Sequence, residues 1–263
     1  MRIDVHFEPA APLPDLTGST VVVIDVLRAT SSMVEALVNG AQGVYPAPST
    51  EEAIKLASSL GREDTILCGE ARGLMIEGFD LGNSPREFSK ERVAGKRLVM
   101  STTNGTRAFS LVEDAVRVLA CSFMNLSAAA AVAMEADSIV VLCAGMGGLF
   151  SLDDAVCAGA LVQRIRSADE VNVELNDAAM GAVEMALTFR INADFLASTS
   201  TGQHLIEIGL REDLKICAEI DRHSVVPQMA DRVIQLRSAA GESAAGGASA
   251  AESSSAESSG PGS

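Results

Sequence analysis

Short runs of Val, Ile and Leu recur along the first 143 residues, and Ala-rich or amphipathic segments separate them. The runs Thr20–Asp25, Gly43–Tyr45, Thr65–Cys68, Arg97–Met100, Val116–Cys121 and Ser138–Cys143 have strand length and no strict polar alternation. Such runs belong to strands buried on both faces. The segments Ser31–Asn39, Thr50–Leu60, Thr106–Val112, Ser127–Ala136 and Leu152–Arg166 read as helices. Strand–helix alternation at this pitch implies a layered α/β fold with a largely parallel or mixed central sheet. The scarcity of aromatics, with one Tyr and no Trp, disfavours an antiparallel sandwich.

The stretches 20–68 and 97–143 each read as β-α-β-α-β, which allows two similar halves followed by a mainly helical part past Asn176. Pro227 inside VVPQMADRVIQL points to an edge strand or a closing segment. From Ser238 to Ser263 only small residues, Glu and one Pro remain. A segment with so little to bury is expected to be a disordered tail. One folded α/β domain over 1–237 is therefore expected.

A net charge of −15 disfavours nucleic acid and anionic membranes as partners. No apolar stretch is long enough to span a bilayer, and MRIDVHFEPAAP carries no signal-like core. Five scattered cysteines, none in a CxxC or zinc spacing, read as reduced thiols in a cytoplasmic protein. Ala-rich helices allow a homodimer without requiring one.

In an open α/β sheet, ligands bind beyond the carboxyl ends of the strands. Several runs here end in polar clusters: DVLRATSS, CGEARG leading into GFDLGNSP, STTNGTRA, and AGMGGLFSLDDAVCAG. Asp25 is either a turn or cap residue or, since Thr30, Ser31 and Ser32 offer caps of their own, a metal ligand or nucleophile. Arg28 can pair with it or grip an anion. In STTNGTRA, the residues Thr102, Thr103, Asn104, Gly105, Thr106 and Arg107 form an anion-binding candidate, or an ordinary strand-to-helix turn. Asp154 stands at capping-box spacing from Ser151, and either it or Asp153 can instead face the site and bind Mg²⁺. Glu70 and Asp80 bracket a glycine-rich loop that carries Arg72, and their oxygen ligands suit Mg²⁺. His6, His204 and His223 are isolated and are assigned structural or surface roles.

Taken together, VVIDVLRATSS, GEARG with GFDLGNSP, STTNGTRA, SFMN and CAGMGGLFSLDDAVCAG resemble the 2-phosphosulfolactate phosphatase family of coenzyme M biosynthesis, in the same order to about Leu236. The resemblance implies a three-layer α/β/α fold and a Mg²⁺-dependent phosphatase for phosphate esters of small 2-hydroxy acids. Ser101, Cys121 and Met75 depart from the family pattern, the last where a basic residue is common. Monoester hydrolysis needs charge neutralisation on the phosphoryl group and a positioned nucleophile. Arg28, Arg72, Arg107 and the Thr102–Thr106 loop are candidates for the first task. Asp25 and Glu70, with Asp80 or Asp154, are candidates for holding Mg²⁺ for the second. The competing expectation is a non-catalytic small-anion binding or sensing protein on the same fold. DVLRAT lacks the second aspartate of a haloacid-dehalogenase phosphatase and the glycines of a dinucleotide site.

Overall fold

The computed structural model describes residues 1–9, 16–112, 115–168 and 172–236, so the expected tail lies outside the described residues. The strands are β1 (Arg2–His6), β2 (Thr20–Ile24), β3 (Gly43–Pro46), β4 (Thr65–Ala71), β5 (Leu74–Met75), β6 (Arg97–Ser101), β7 (Arg117–Cys121), β8 (Ser138–Cys143), β9 (Glu174–Leu175), β10 (Pro227–Ala230) and β11 (Val233–Leu236). They form one sheet in the order β5-β4-β6-β3-β11-β10-β7-β2-β8-β1-β9. Two parallel blocks, β4-β6-β3 and β7-β2-β8-β1-β9, are joined by the antiparallel hairpin β10–β11.

The hairpin closes the middle of the sheet rather than lying at its edge. Pro227 is tolerated there because it is the first residue of β10, and pairing with β7 begins at Gln228. Its two turn residues, Asp231 and Arg232, both have positive φ, 50° and 63°, as a tight two-residue hairpin requires. The runs 20–68 and 97–143 do not form separate halves, because β6 lies between β4 and β3 while β2 lies between β7 and β8.

The helices are α1 (Ala29–Val38), α2 (Thr50–Leu60), α3 (Lys90–Val93), α4 (Gly105–Ser110), α5 (Leu126–Ala133), α6 (Leu152–Arg166), α7 (Asp177–Thr188), α8 (Ala193–Ser198), α9 (Ser200–Glu207) and α10 (Arg211–Cys217). Alternation along the strands divides the core. Val22, Ile24, Ile139 and Val141 pack with α5, α6 and α7, whereas Val21, Val23, Val140 and Leu142 pack with α1 and α4. The Val and Ile side chains of β2 are fully buried, each contributing roughly 1.5–3 kcal/mol. A smaller cluster seats Ala53 and Ala57 of α2 on Leu67 and Val99. The result is the expected three-layer α/β/α arrangement. After β2 the chain turns to one face through α1, and after β8 it turns to the other through α6. The two loops diverge and leave a crevice at the carboxyl end of β2.

Candidate active site

The crevice is a cavity of about 300 Å³, and Asp25, Glu70, Arg72, Thr103 and Asn104 are on its wall. Five polar residues from three loops distant in sequence thus meet at one point. Asp25 sits directly after β2 and is only 6% exposed. Its Oδ1 accepts from Ala29 N–H at 3.0 Å, and its backbone N–H donates to Thr30 Oγ1 at 3.0 Å. It therefore serves as a turn residue and faces the cavity as well. Burial pushes its carboxyl up to about 7, Ala29 N–H opposes the rise, and the charges of Glu70 and Asp153 add to it.

Gly105, the first residue of α4, explains how Asp25 fits. A Cβ there would stand 2.6 Å from Asp25 Oδ2 and 2.5 Å from Ala29 Cβ. Gly69 plays a similar part between strands: its φ is +141°, and a Cβ would run into the backbone of Ser101. Ser101, Thr102 and Thr103 can thereby lie against Gly69 and Glu70. Glu70 ties the two loops together. Its Oε1 accepts from Thr103 N–H at 2.7 Å, and its Oε2 accepts from Gly73 N–H at 2.6 Å.

Hydroxyls and acids near Asp25 have other partners than their spacing implies. Thr30, Ser31 and Ser32 do not cap α1, which starts two residues earlier than expected. Thr30 Oγ1 lies 2.7 Å from Cys121 O, Ser31 Oγ donates to Val26 O, and Ser32 Oγ donates to Asn83 O. Asp154 is not a capping-box partner of Ser151, whose Oγ donates to Asp153 Oδ1 at 2.7 Å. Both Asp154 oxygens accept backbone N–H groups instead, Val26 at 2.8 Å and Gly145 at 3.1 Å, so it clamps the β2 and β8 loops together. It lies behind the wall, 2% exposed, where burial and then the charges of Asp153 and Asp25 hold its carboxyl well above the usual range.

Arg28 lines the cavity, but its guanidinium is occupied. Nη1 donates to Asp213 Oδ2 at 2.8 Å and Nη2 to Gly73 O at 2.6 Å, with both charged side chains almost wholly buried. This ion pair fixes the loop that carries Arg72 from below. His204 holds the same loop from the side, its Nε2 3.0 Å from Arg72 O, and it also lines the cavity. The default structural role expected for His204 misses this position. Its only sequence signal is helical spacing from Thr201, which is also on the wall. Asn83, Met146, Gly147 and Leu205 are further wall residues that residue type did not single out.

Four expected positions fall elsewhere. Asp80 is at the amino end of β4, where Arg62 grips it with Nη1–Oδ2 at 3.0 Å and Nη2–Oδ1 at 3.3 Å. Leu67 N–H also binds Asp80 Oδ2, at 2.8 Å, drawing it along the strand away from the cavity. Arg107 is exposed on α4 and does not reach the wall. Thr102 and Thr106 are buried and bond to each other, Thr106 N–H donating to Thr102 Oγ1 at 3.1 Å and Thr106 Oγ1 to Thr102 O at 3.0 Å. They shape the start of α4 behind Thr103 and Asn104, while Asn104 Oδ1 accepts from Gly147 N–H at 3.0 Å.

A buried acid and an arginine at the strand ends of a three-layer α/β fold are compatible with phosphate-ester chemistry, and similarity to known proteins assigns the class, a phosphoric monoester hydrolase. The chain belongs to the 2-phosphosulpholactate phosphatase family, whose model matches residues 7–232. It is 37% identical over 236 residues to a probable 2-phosphosulfolactate phosphatase of Thermotoga petrophila, covering 89% of this chain and 98% of that one. Proteins of the same description from Clostridium acetobutylicum and Gloeobacter violaceus are 40% and 38% identical, covering 80% and 87% of this chain and 89% and 95% of their own lengths. Among the described residues no helix is long and apolar enough to cross a membrane.

Proposed function

We propose that the chain hydrolyses phosphate monoesters of small 2-hydroxy acids, with 2-phosphosulfolactate as the substrate, in a Mg²⁺-dependent reaction. The observation that carries this reading is Asp25, held at a strand end in a cavity of about 300 Å³ with Glu70 and Arg72 on the same wall. That volume suits a compact ester of a few carbons. A substrate with a phosphate and further acidic groups needs a cation at the rim, and Arg72 presents a planar fork of donors there. The buried Arg28–Asp213 pair and His204 keep the Arg72 loop in place, and Glu70 ties it to Thr103.

The chemistry of the donor set supports a site for Mg²⁺. Asp25 and Glu70 offer hard oxygens in the number Mg²⁺ takes from a protein when water and phosphate complete its shell. When bound, Mg²⁺ supplies charge neutralisation to the phosphoryl oxygens and acidity to water. In the overall reaction the oxygen of water bonds to phosphorus, the ester P–O bond breaks, and the alcohol leaves with a proton. A reducing, cytoplasmic setting agrees with five free and buried cysteines.

The test is phosphate release by purified protein, with Mg²⁺ and with EDTA, from 2-phosphosulfolactate, 2-phospholactate, phosphoglycolate and an aryl phosphate. Release that needs Mg²⁺ and is fastest with 2-phosphosulfolactate is expected. Equal rates in EDTA would overturn the metal dependence, and a faster rate with another ester would overturn the substrate.

A further inference from the structure

We propose that Oδ1 of Asn83 is an oxygen ligand for the divalent cation of this site, an inference that rests on the metal reading above. Asn83 comes from the GFDLGNSP stretch, whose acid, Asp80, lies elsewhere. It is 3% exposed and on the wall of the cavity that holds Asp25 and Glu70. Its Oδ1 is buried and has no hydrogen-bond partner among the described residues. Three other buried side-chain atoms share that condition, on Asp4, Arg97 and Gln228, and none of those residues is on the cavity wall.

A buried acceptor without a donor is costly to a folded chain, and such groups in native proteins call for a specific explanation. The chain places this one beside a carboxylate. Cys68 and Leu81 form a parallel bridge, and Gly69 N–H donates to Leu81 O at 3.2 Å and to Gly82 O at 3.1 Å. In the same register Asn83 follows Leu81 as Glu70 follows Cys68. Paired positions share a face, and both residues are on the cavity wall. The backbone there is held by buried bonds. Asn83 O accepts from Ser32 Oγ of α1 at 2.7 Å, and Ser84 Oγ donates to Asp213 Oδ1 at 2.6 Å. The last torsion of an Asn side chain is broad, so Oδ1 can turn into the cavity from a fixed stem.

The neighbours decide what such an oxygen can meet. Ionised Asp25 and Glu70 offer only acceptors, as Oδ1 does, and an anion is repelled by all three. Ala29 N–H engages Oδ1 of Asp25, while Thr103 N–H and Gly73 N–H engage Glu70, and no bond within the chain reaches Asn83 Oδ1 among the described residues. Acceptors gathered from three segments are satisfied by a cation. Carboxylate and carbonyl oxygens are the hard donors that suit Mg²⁺ and Mn²⁺. A neutral third oxygen holds the ion without adding negative charge against an anionic ester.

The experiment titrates wild-type protein, Asn83→Ala, the near-isosteric Asn83→Leu and Asn83→Asp with Mg²⁺ by calorimetry and with Mn²⁺ by electron paramagnetic resonance, with no ester present. Thermal unfolding in EDTA and phosphate release from 2-phosphosulfolactate at varied Mg²⁺ are measured beside them. The Ala and Leu variants lose an oxygen that has no partner in the chain, so both are expected to melt in EDTA at the wild-type temperature. Their affinity for both ions is expected to fall about 10- to 100-fold, the scale of disturbing the groups around a bound metal. The Mg²⁺ needed for half-maximal release is expected to rise by a similar factor. Asn83→Asp keeps an oxygen at this position and is expected to bind both ions at least as tightly as wild type.

Wild-type affinity for both ions in the Ala and Leu variants would overturn the proposal. So would a loss in Asn83→Asp equal to that in Asn83→Ala, or a lowered melting temperature in EDTA in both the Ala and Leu variants. Wild-type protein that binds the ions and hydrolyses none of the esters would overturn the hydrolytic reading alone, leaving the titrations to decide Asn83. Wild-type protein that binds neither ion would overturn the metal reading and this proposal together.

Discussion

Two clefts of nearly equal size, about 300 and 310 Å³, each combine an aspartate with two arginines. One, at the carboxyl ends of the strands, has Asp25 with Arg28 and Arg72. The other, at the amino end of β4, has Asp80 with Arg62 and Arg92. In the second cleft the aspartate takes both Nη groups of Arg62, and its side chain is 43% exposed. In the first, Asp213 draws off the nearest arginine, Arg28, and leaves buried Asp25 with acidic neighbours. A carboxylate satisfied by its own arginine in water has little left to offer a ligand. One that is desolvated and faces other acids gains from any cation that arrives.

This contrast can be broken at four points. The largest effect is expected from Asp25→Asn, which should lower phosphate release about 10³-fold, the scale of losing one group that stabilises developing charge. Asp80→Asn should leave release within about twofold, well short of that scale. Equal losses in the two variants would erase the distinction between the clefts. Next, Asp213→Ala strands Arg28 without its partner and should cost about 3–5 kcal/mol in denaturant titration, whereas Arg62→Met should cost less than about 1 kcal/mol. Third, Gly105→Ala forces a methyl against Asp25 Oδ2 and Ala29 and should cost about 1–3 kcal/mol, with loss of activity.

The fourth point is pH dependence without divalent cations. The folded-state pKa of Asp25, about 7, lies above its unfolded value near 4, so the folded chain holds the extra proton. Its contribution to stability is fully present below about pH 4 and is lost as pH rises through about 7. Melting temperature should therefore fall over that window less steeply in Asp25→Asn than in wild type. Added Mg²⁺ should stabilise wild type most at the upper end of the window, and an identical slope in variant and wild type would contradict the burial argument.

Much of the architecture was legible from hydrophobic pattern. Ser138–Cys143, Thr50–Leu60 and Leu152–Arg166 have the bounds that their composition implies. β1 was not read from the sequence: RIDVH has the polar–apolar alternation of a half-buried strand, but over five residues with only Ile3 and Val5 apolar the signal is short, and pairing with β8 and β9 fixes it. The hairpin β10–β11 was read as an edge or closing segment because Pro227 cannot donate. Its central place depends on where β3 and β7 stand.

The sequence by itself determined the order of strands and helices and the end of the sheet where polar residues collect. Parallel strands bring their following loops to the same side, so DVLRATSS, CGEARG and STTNGTRA had to meet. Tertiary structure alone decided which charges remain for a ligand. Arg28 finds Asp213 across 185 positions, and Val26 finds Asp154 across 128. Such pairings depend on distance and desolvation, which no local spacing encodes. Asp80 went to Arg62, Asp154 to two backbone amides, and Asp25 was left buried beside Glu70 on the cavity wall.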